Sequence, residues 1–382
     1  MTILKGLKAP LRGVISKVWE KRAVFLAVFA LVFSFRVFIA FWSGYRGTDI
    51  KYHLLASRGL LDGQLLYRDL RFDYPPLHAY FQAFFLQILG DNVLAAKMPA
   101  VLGDLAFAWL LHVVGGKIKP EYGRKLALCY LLFPLSVLSS DWFGLFDSVA
   151  LFLMVTAIYC FLEGKDFLAA VFLGVGTMYK WFPLLAFVPI LFHGILKRKV
   201  RQVVLYVFVI GVICVLVSAP FLLLDREKTI YYYLYNSRKM PDSFSVFRIF
   251  PVASETLPFV VQVVAVLVLF FLIVYKFKVF DDNSFEGITF FVALFIMLNK
   301  NLYPHYFLWV FPFIAYWYVY NDELFKLVFV LLVNTPLLGL FWFRNGEYVN
   351  ASIALPLIFH VFNWTIIGYA LLKERSKLSV EA

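Results

Sequence analysis

The sequence predicts an all-α, polytopic membrane protein, and three observations carry that expectation. Hydrophobic residues make up 62% of the 382-residue chain, well above the roughly 45–50% of soluble domains. Charged residues make up only 16%, against about 25% in such domains. The apolar residues also gather into long runs separated by short polar clusters. A soluble core cannot hide that much apolar surface, which excludes a disordered chain, a nucleic-acid module and a disulfide-stapled secreted fold. Cys129, Cys160 and Cys214 each lie inside an apolar run, with neither metal spacing nor a disulfide framework. The net charge of +12 points to anionic lipid headgroups or an anionic substrate rather than nucleic acid.

Crossing a bilayer takes about 20 apolar residues. Runs of that character lie near 23–43, 93–115, 126–140, 148–162, 167–180, 182–196, 202–224, 257–275, 286–299, 305–320, 324–342 and 351–372. They predict about twelve transmembrane helices, with 167–196 also readable as one broken helix. The basic start leads directly into a full-length apolar run with no small-residue cleavage site, the pattern of a retained first span rather than a cleaved signal peptide.

Orientation follows from Lys and Arg. With the basic tail 1–22 placed in the cytoplasm, the basic loops Lys117–Lys125, Lys197–Arg201 and Lys276–Lys278 and the tail 373–382 fall on the same side. The excess is modest but repeats at successive loops. Residues 76–90 are apolar yet too short to span. If they crossed, the basic loop 117–125 would be inverted, so they are expected to form an amphipathic helix on the outer interface. The expected organisation is therefore a cytoplasmic tail (1–22), one integral-membrane domain (23–372) and a second cytoplasmic tail (373–382). Large outer loops are expected near 44–92 and 225–256.

Polar residues at membrane depth are costly, so their placement is informative. In this topology six polar clusters fall on the outer side. They are Gly47–His53, Tyr67–Pro76, Asp141–Ser148, Tyr179–Pro183, the loop carrying Arg238, Lys239 and Arg248, and Asn299–Tyr306. Together they offer carboxylates, cations and aromatics to one site. A carboxylate can take a proton from an acceptor hydroxyl. Cations can hold a phosphate leaving group. Tyr and Trp can stack on sugar faces at headgroup depth. Phosphate leaves as a stable anion, so one essential carboxylate suffices, unlike the acid–base pair of hydrolases.

The order of these features resembles the GT-C superfamily of membrane glycosyltransferases, which use polyprenyl- or dolichyl-phosphate sugars. Four stretches carry the resemblance: G-T-D-I-K-Y with Asp49 after the first span; A-S-R-G-L-L-D-G-Q-L-L-Y-R-D-L-R-F-D-Y-P-P-L; G-L-F-D-S, followed later by Lys180 before W-F-P; and L-N-K-N-L-Y-P-H-Y-F-L-W-V-F-P. The last is similar to a segment of the mannosyltransferases that add the first mannose to glycosylphosphatidylinositol anchors, and the second to prokaryotic members.

The resemblance implies an inverting transfer of a hexose, mannose being favoured, from a lipid-phosphate sugar to an outward-facing glycan or glycolipid. Asp49 is the implied base, with Asp73 and Asp147 as accessory acids. Lys180, Lys300, His305 and Arg238 are the candidates for the donor phosphate. It also implies a prokaryotic plasma membrane, with an endoplasmic reticulum membrane facing its lumen as the alternative. The anchor enzymes carry Asp-x-Asp in the first loop, whereas here the spacing reads Asp49-Ile50-Lys51. No cofactor is therefore assigned, and a divalent cation lacks its usual second carboxylate.

Each candidate also has a structural reading. Asp49 and Asp147 suit helix caps. Asp69 and Asp73 suit turns. Lys180, Lys300 and His305 suit the membrane interface. Arg36 and Asp104, both within predicted spans, are expected to form a structural ion pair, since each is expensive alone. Gly174 and Gly176 suit close helix packing. No Walker, Rossmann or His/Cys metal pattern is present, so a sugar-nucleotide donor is not expected. A transporter or flippase without chemistry is the competing class. Transporters commonly carry internal repeats, and none is visible here.

Overall fold

The computed structural model describes residues 22–241, 245–248, 256–277, 284–312 and 360–361. The architecture is helical, and the described residues contain no strand, only an isolated bridge between Leu66 and Leu70. The helices are α1 (Arg22–Trp42), α2 (Thr48–Leu61), α3 (Leu77–Leu89), α4 (Val93–Ile118), α5 (Pro120–Leu131), α6 (Asp147–Leu162), α7 (Asp166–Tyr179), α8 (Leu184–Leu196), α9 (Val200–Leu224), α10 (Arg226–Tyr233), α11 (Leu257–Phe277) and α12 (Ser284–Met297). A 3₁₀ segment at Pro304–Val310 follows.

By length and composition α1, α4 and α9 are long and apolar enough to cross a membrane, and shorter apolar helices surround them. Their burial pattern is that of helices in lipid. On α1 the residues Phe25, Val32, Arg36 and Ala40 form one buried stripe, while Leu31, Phe35, Phe38, Phe41 and Trp42 are exposed. On α9 the exposed face is Val204, Val207, Phe208, Val215 and Leu216. Apolar side chains turned outward at this density require an apolar solvent. The chain is an integral, multi-pass membrane protein.

Several predicted runs take a different form. The 126–140 run is not one helix: Pro134 cannot continue the backbone ladder, so α5 ends and the chain proceeds through a π-helical turn, Val137–Trp142. The 167–180 and 182–196 runs do form two separate helices, broken at Lys180–Pro183. At 14 and 13 residues, each is only about 20 Å long, short of the ~30 Å hydrocarbon core. The runs at 324–342 and 351–372 and both tails lie outside the described residues, apart from 360–361, as does the end of the 305–320 run.

The short 76–90 run forms α3. It turns Phe84, Ile88 and Tyr80 outward and fixes its inner face by hydrogen bonds. The Ser57 hydroxyl donates to Gln82 Oε1 (2.8 Å), and Gln82 Nε2 donates to the Ala96 carbonyl (2.9 Å). α2, α3 and α4 are thereby tied together over a small cluster of Ile50, Leu54, Leu86, Ala95 and Ala96.

The main core runs through α1, α4 to α9, α11, α12 and the 302–309 turn. Glycines set its closest approaches. A Cβ at Gly123 would sit 2.2 Å from the His112 carbonyl oxygen, so α4 and α5 meet backbone to backbone. Gly174 and Gly176 do lie at helix contacts, against Ile213 of α9 and against Leu153 and Pro183.

Candidate active site

Asp49 is placed by the turn that follows α1. Gly47, at φ 83°, precedes α2 as its N-cap, a backbone region that disfavours side chains. Asp49 is therefore not the cap. It is half-buried in the first helical turn, where the partial positive charge of the helix start favours a carboxylate.

Asp147 is not a cap either. Phe146 precedes α6 and no side chain caps that end. Instead the Asp147 carboxylate, 1% exposed, accepts a hydrogen bond from Lys180 Nζ at 2.8 Å and another from Trp309 Nε1 at 2.8 Å. His305 Nε2 lies 3.7 Å away. Lys180 does not snorkel. It is buried just past the end of α7, with its ammonium 4.3 Å from the Phe146 ring centroid and 5.6 Å from that of Tyr74. Trp309 is held between Phe182 and Tyr306, stacked at 4.0 Å on each. The break between α7 and α8 thus delivers a cation to the carboxylate at the start of α6.

Tyr74 joins the two halves. Burial, followed by the negative charge of Asp49, the Tyr306 phenol, Asp147 and Asp73, pushes its phenol well above the ordinary tyrosine range. The phenol therefore stays protonated. Its backbone is fixed by Tyr67, whose hydroxyl donates to the Tyr74 carbonyl at 2.7 Å. Asp73 is nearly buried and accepts a two-pronged contact from Arg71, 3.3 Å on each oxygen. Arg71 also lies 4.7 Å from the Tyr235 ring centroid. Asp69, by contrast, is turn chemistry: it accepts from the Leu65 amide and pairs with its neighbour Arg68 at the surface.

The second loop lies across this region. Asn236 Nδ2 donates to the Asp73 carbonyl (3.0 Å), Lys300 Nζ to the Ser237 carbonyl (2.7 Å) and Asn301 Nδ2 to the Asn236 carbonyl (3.0 Å). Lys300 therefore holds this strap. Arg238 is exposed, with its guanidinium 5.3 Å from the Tyr231 ring centroid. The side chain of Arg248 lies outside the described residues. Asp147, Lys180 and His305 form one buried group beside the Tyr74 ring. Asp49 lies one helical turn before His53, whose ring is 5.3 Å from that of Tyr74. Asp73 precedes Tyr74 in the chain, and Lys300 holds the strap that carries Arg238.

Four site features escaped sequence reasoning. Tyr74 lies in the Tyr67–Pro76 cluster and Trp309 in the L-N-K-N-L-Y-P-H-Y-F-L-W-V-F-P stretch, and neither is marked as a site residue by local pattern. His53, one helical turn beyond Asp49, is fully buried among Phe146, His78, Tyr74 and Phe72 at ring distances of 4.7–5.7 Å. Burial, with Lys180 nearby, lowers its pKa to about 3. His78 is likewise lowered by burial; it donates to or accepts from the Tyr179 hydroxyl at 3.1 Å and stacks on Phe146 at 3.7 Å.

A separate buried network stands beside the site. Arg36 pairs with Asp104 and also with Asp141, through its Nε at 2.8 Å. Tyr130 donates to Asp104, and Arg36 reaches the Leu131 carbonyl and the Ser136 hydroxyl. The sequence suggests the Arg36–Asp104 partnership, but Asp141 reaches it only through the π-helical turn. Among the described residues, no three His, Cys, Asp or Glu side chains converge in a way that could hold a metal ion.

Comparison with known proteins follows from this geometry. No curated protein sequence matches the chain. Among solved structures, ArnT from Cupriavidus metallidurans bound to undecaprenyl phosphate is similar in fold. The TM-score is 0.61 at 13% identity, over 93% of this chain and 72% of that one. The apo state of the same protein gives 0.60 at 15% identity, over 95% and 73%. The model of glycosyltransferase family 87 matches residues 72–299. That stretch covers most of the chain and contains Asp73, Tyr74, Asp147 and Lys180. The chain belongs to glycosyltransferase family 87, of GT-C type.

Proposed function

We propose that the protein moves a hexose from a polyprenyl-phosphate carrier to the hydroxyl of a glycan or glycolipid, with Asp49 as the base. The observation that carries this reading is a buried cation, Lys180, paired with Asp147 beside the Tyr74 ring, with the half-buried Asp49 one helical turn from His53, whose ring packs on Tyr74 and Phe146. Asp49 opens α2 beside the site, and the resemblance of the first loop to GT-C enzymes supports it as the base. The relative solved with undecaprenyl phosphate supports a lipid phosphate as the carrier.

The acceptor O–H gives its proton to Asp49 as its oxygen bonds to the anomeric carbon. The bond from that carbon to the phosphate oxygen breaks on the opposite face, and the lipid phosphate leaves as an anion. Attack opposite the leaving group inverts the anomeric centre. Lys180, oriented by Asp147, neutralises the phosphate charge as it develops, and His305 donates a hydrogen bond to it. Tyr74 stays protonated and donates a hydrogen bond to an oxygen of the donor or acceptor. Mannose is the sugar favoured by the resemblance of the L-N-K-N-L-Y-P-H-Y-F-L-W-V-F-P stretch to mannosyltransferases. The site faces outward across a prokaryotic plasma membrane, with both termini in the cytoplasm, as the Lys and Arg distribution supports.

The test is transfer from radiolabelled polyprenyl-phosphate mannose to a membrane glycolipid extract, by the purified protein and by Asp49→Asn. Label in a new product with wild type alone supports both the reaction and the base. Equal transfer by both discards Asp49 as base. No transfer from several polyprenyl-phosphate sugars, with movement of the lipid across vesicles, overturns the reading in favour of a flippase.

A further inference from the structure

We infer that Lys97, a fully buried lysine on α4, is a positioning residue that sets the separation between Asp49 and the Asp147–Lys180 pair. The inference rests on the proposed transfer for its catalytic meaning, but its geometric content stands apart. Lys97 ends on three oxygens: the Ser43 hydroxyl at 2.6 Å, the Asp141 carbonyl at 2.9 Å and the Trp142 carbonyl at 2.8 Å. Ser43 begins the turn that leads through Gly47 to Asp49. Asp141 and Trp142 begin the turn that leads through Gly144 to Asp147. One ammonium therefore bonds the root of each loop that carries a candidate carboxylate. Ser43 also donates to the Asp141 carbonyl at 3.1 Å, closing the same junction.

Packing repeats this arrangement. A Cβ on Gly144 would lie 2.5 Å from Ile50 Cδ1 and 3.1 Å from Lys97 Cγ. The backbone of the second loop is thus seated directly on the lysine stem and on the residue after Asp49. Gly47 meets Phe143 in the same junction, a Cβ there being 3.2 Å from the ring. The residues just before Lys97, Ala95 and Ala96, pack under Ile50 and Leu54.

Charge explains why a lysine stands here. Arg36 alone faces two buried carboxylates, Asp104 and Asp141. The Lys97 ammonium supplies a second cation beside Asp141. Three ammonium hydrogens also match the three oxygens, which a neutral side chain with fewer donors would not.

A displacement of about 1 Å between reacting groups can cost on the order of 100-fold in rate. Lys97→Met removes the donors while keeping most of the volume. It is expected to lower kcat roughly 10- to 100-fold while KM for the lipid-phosphate sugar moves less than about 3-fold. Ser43→Ala, which removes one anchor and leaves the charges in place, is expected to lower kcat in the same sense by a smaller factor. Ser43→Thr, which keeps the hydroxyl, is expected to restore it.

Amide hydrogen exchange supplies the readout independent of activity. In both Lys97→Met and Ser43→Ala, exchange is expected to rise together in residues 43–50 and 141–147 and to stay unchanged in α9. Unchanged exchange in both loops, a rise in only one of them, or a rise spread over the whole chain overturns the clamp. So does a fall in kcat that Ser43→Thr does not restore. If instead Asp49→Asn transfers sugar as well as wild type, the base assignment fails, and the exchange result still decides the clamp.

Discussion

Breaking the Asp147–Lys180 pair from either side should destabilise the protein far more than removing it whole. The side chains are 1% and 7% exposed, so solvent screening gives no discount. Asp147→Asn keeps the shape and an oxygen for Trp309 Nε1, but leaves the Lys180 ammonium buried without its counter-ion. Lys180→Met leaves the carboxylate with Trp309 and an uncompensated charge. Uncoupling a buried pair in this way costs about 3–5 kcal/mol, a fall of roughly 4–6 °C in Tm for a chain of this length.

Independent effects would make the double variant lose about 6–10 kcal/mol. The structure predicts much less, because Asp147→Asn/Lys180→Met leaves no buried charge at this pair. What remains lost is chiefly the contact of Lys180 with the Phe146 ring, about 1–2 kcal/mol when desolvated. The assay is thermal unfolding of the four proteins in one detergent, followed by tryptophan fluorescence. A shift under about 2 °C for either single variant, or a double variant equal to the sum, would refute the reasoning. All three variants should fail in sugar transfer, so stability and activity separate in the double variant.

Three further outcomes follow from the same geometry. Asp49→Asn should reduce transfer by about 10²–10⁴-fold while leaving binding of the labelled lipid-phosphate sugar intact; loss of binding in parallel would assign Asp49 to the donor instead. Gly47→Ala forces a side chain into φ 83° against Phe143 and should cost roughly 1–2 kcal/mol with a larger loss of transfer, read by Tm and by rate. His53 is held neutral in the fold with its pKa lowered to about 3, so below about pH 6.5 the unfolded chain takes up the proton that the folded chain refuses. Stability should then fall from pH 6.5 toward pH 3, by about 2 kcal/mol at pH 5 from this residue; His78 is shifted in the same direction. His53→Phe should flatten that limb, and a profile identical to wild type would count against buried neutral imidazole.

Much of the candidate site was present in the sequence as separate fragments. Asp49, Asp147, Lys180 and His305 each drew notice because a polar residue bordering an apolar run is costly and local. Their roles did not follow from that. Asp147 and Lys180 are 33 positions apart and Asp147 and Trp309 are 162 apart, so local pattern read the first as a cap and the second as an interfacial lysine. Lys97 lay inside a predicted span and was passed over. Only the proximity of the Ser43 and Asp141 turns gives its charge a purpose.

The sequence by itself determined that this chain lives in a bilayer, because 62% hydrophobic composition cannot be buried in water. It also marked the break between α7 and α8, because Lys180 and Pro183 interrupt the apolar runs within a turn. Tertiary structure alone decided which polar groups face one another. It folded 137–142 into a π-helical turn that brings Asp141 to Arg36 and Lys97. It also turned Lys180, at the α7–α8 break, onto Asp147. Pairing energies of this kind depend on distances across the bundle, and no local rule in the chain encodes them.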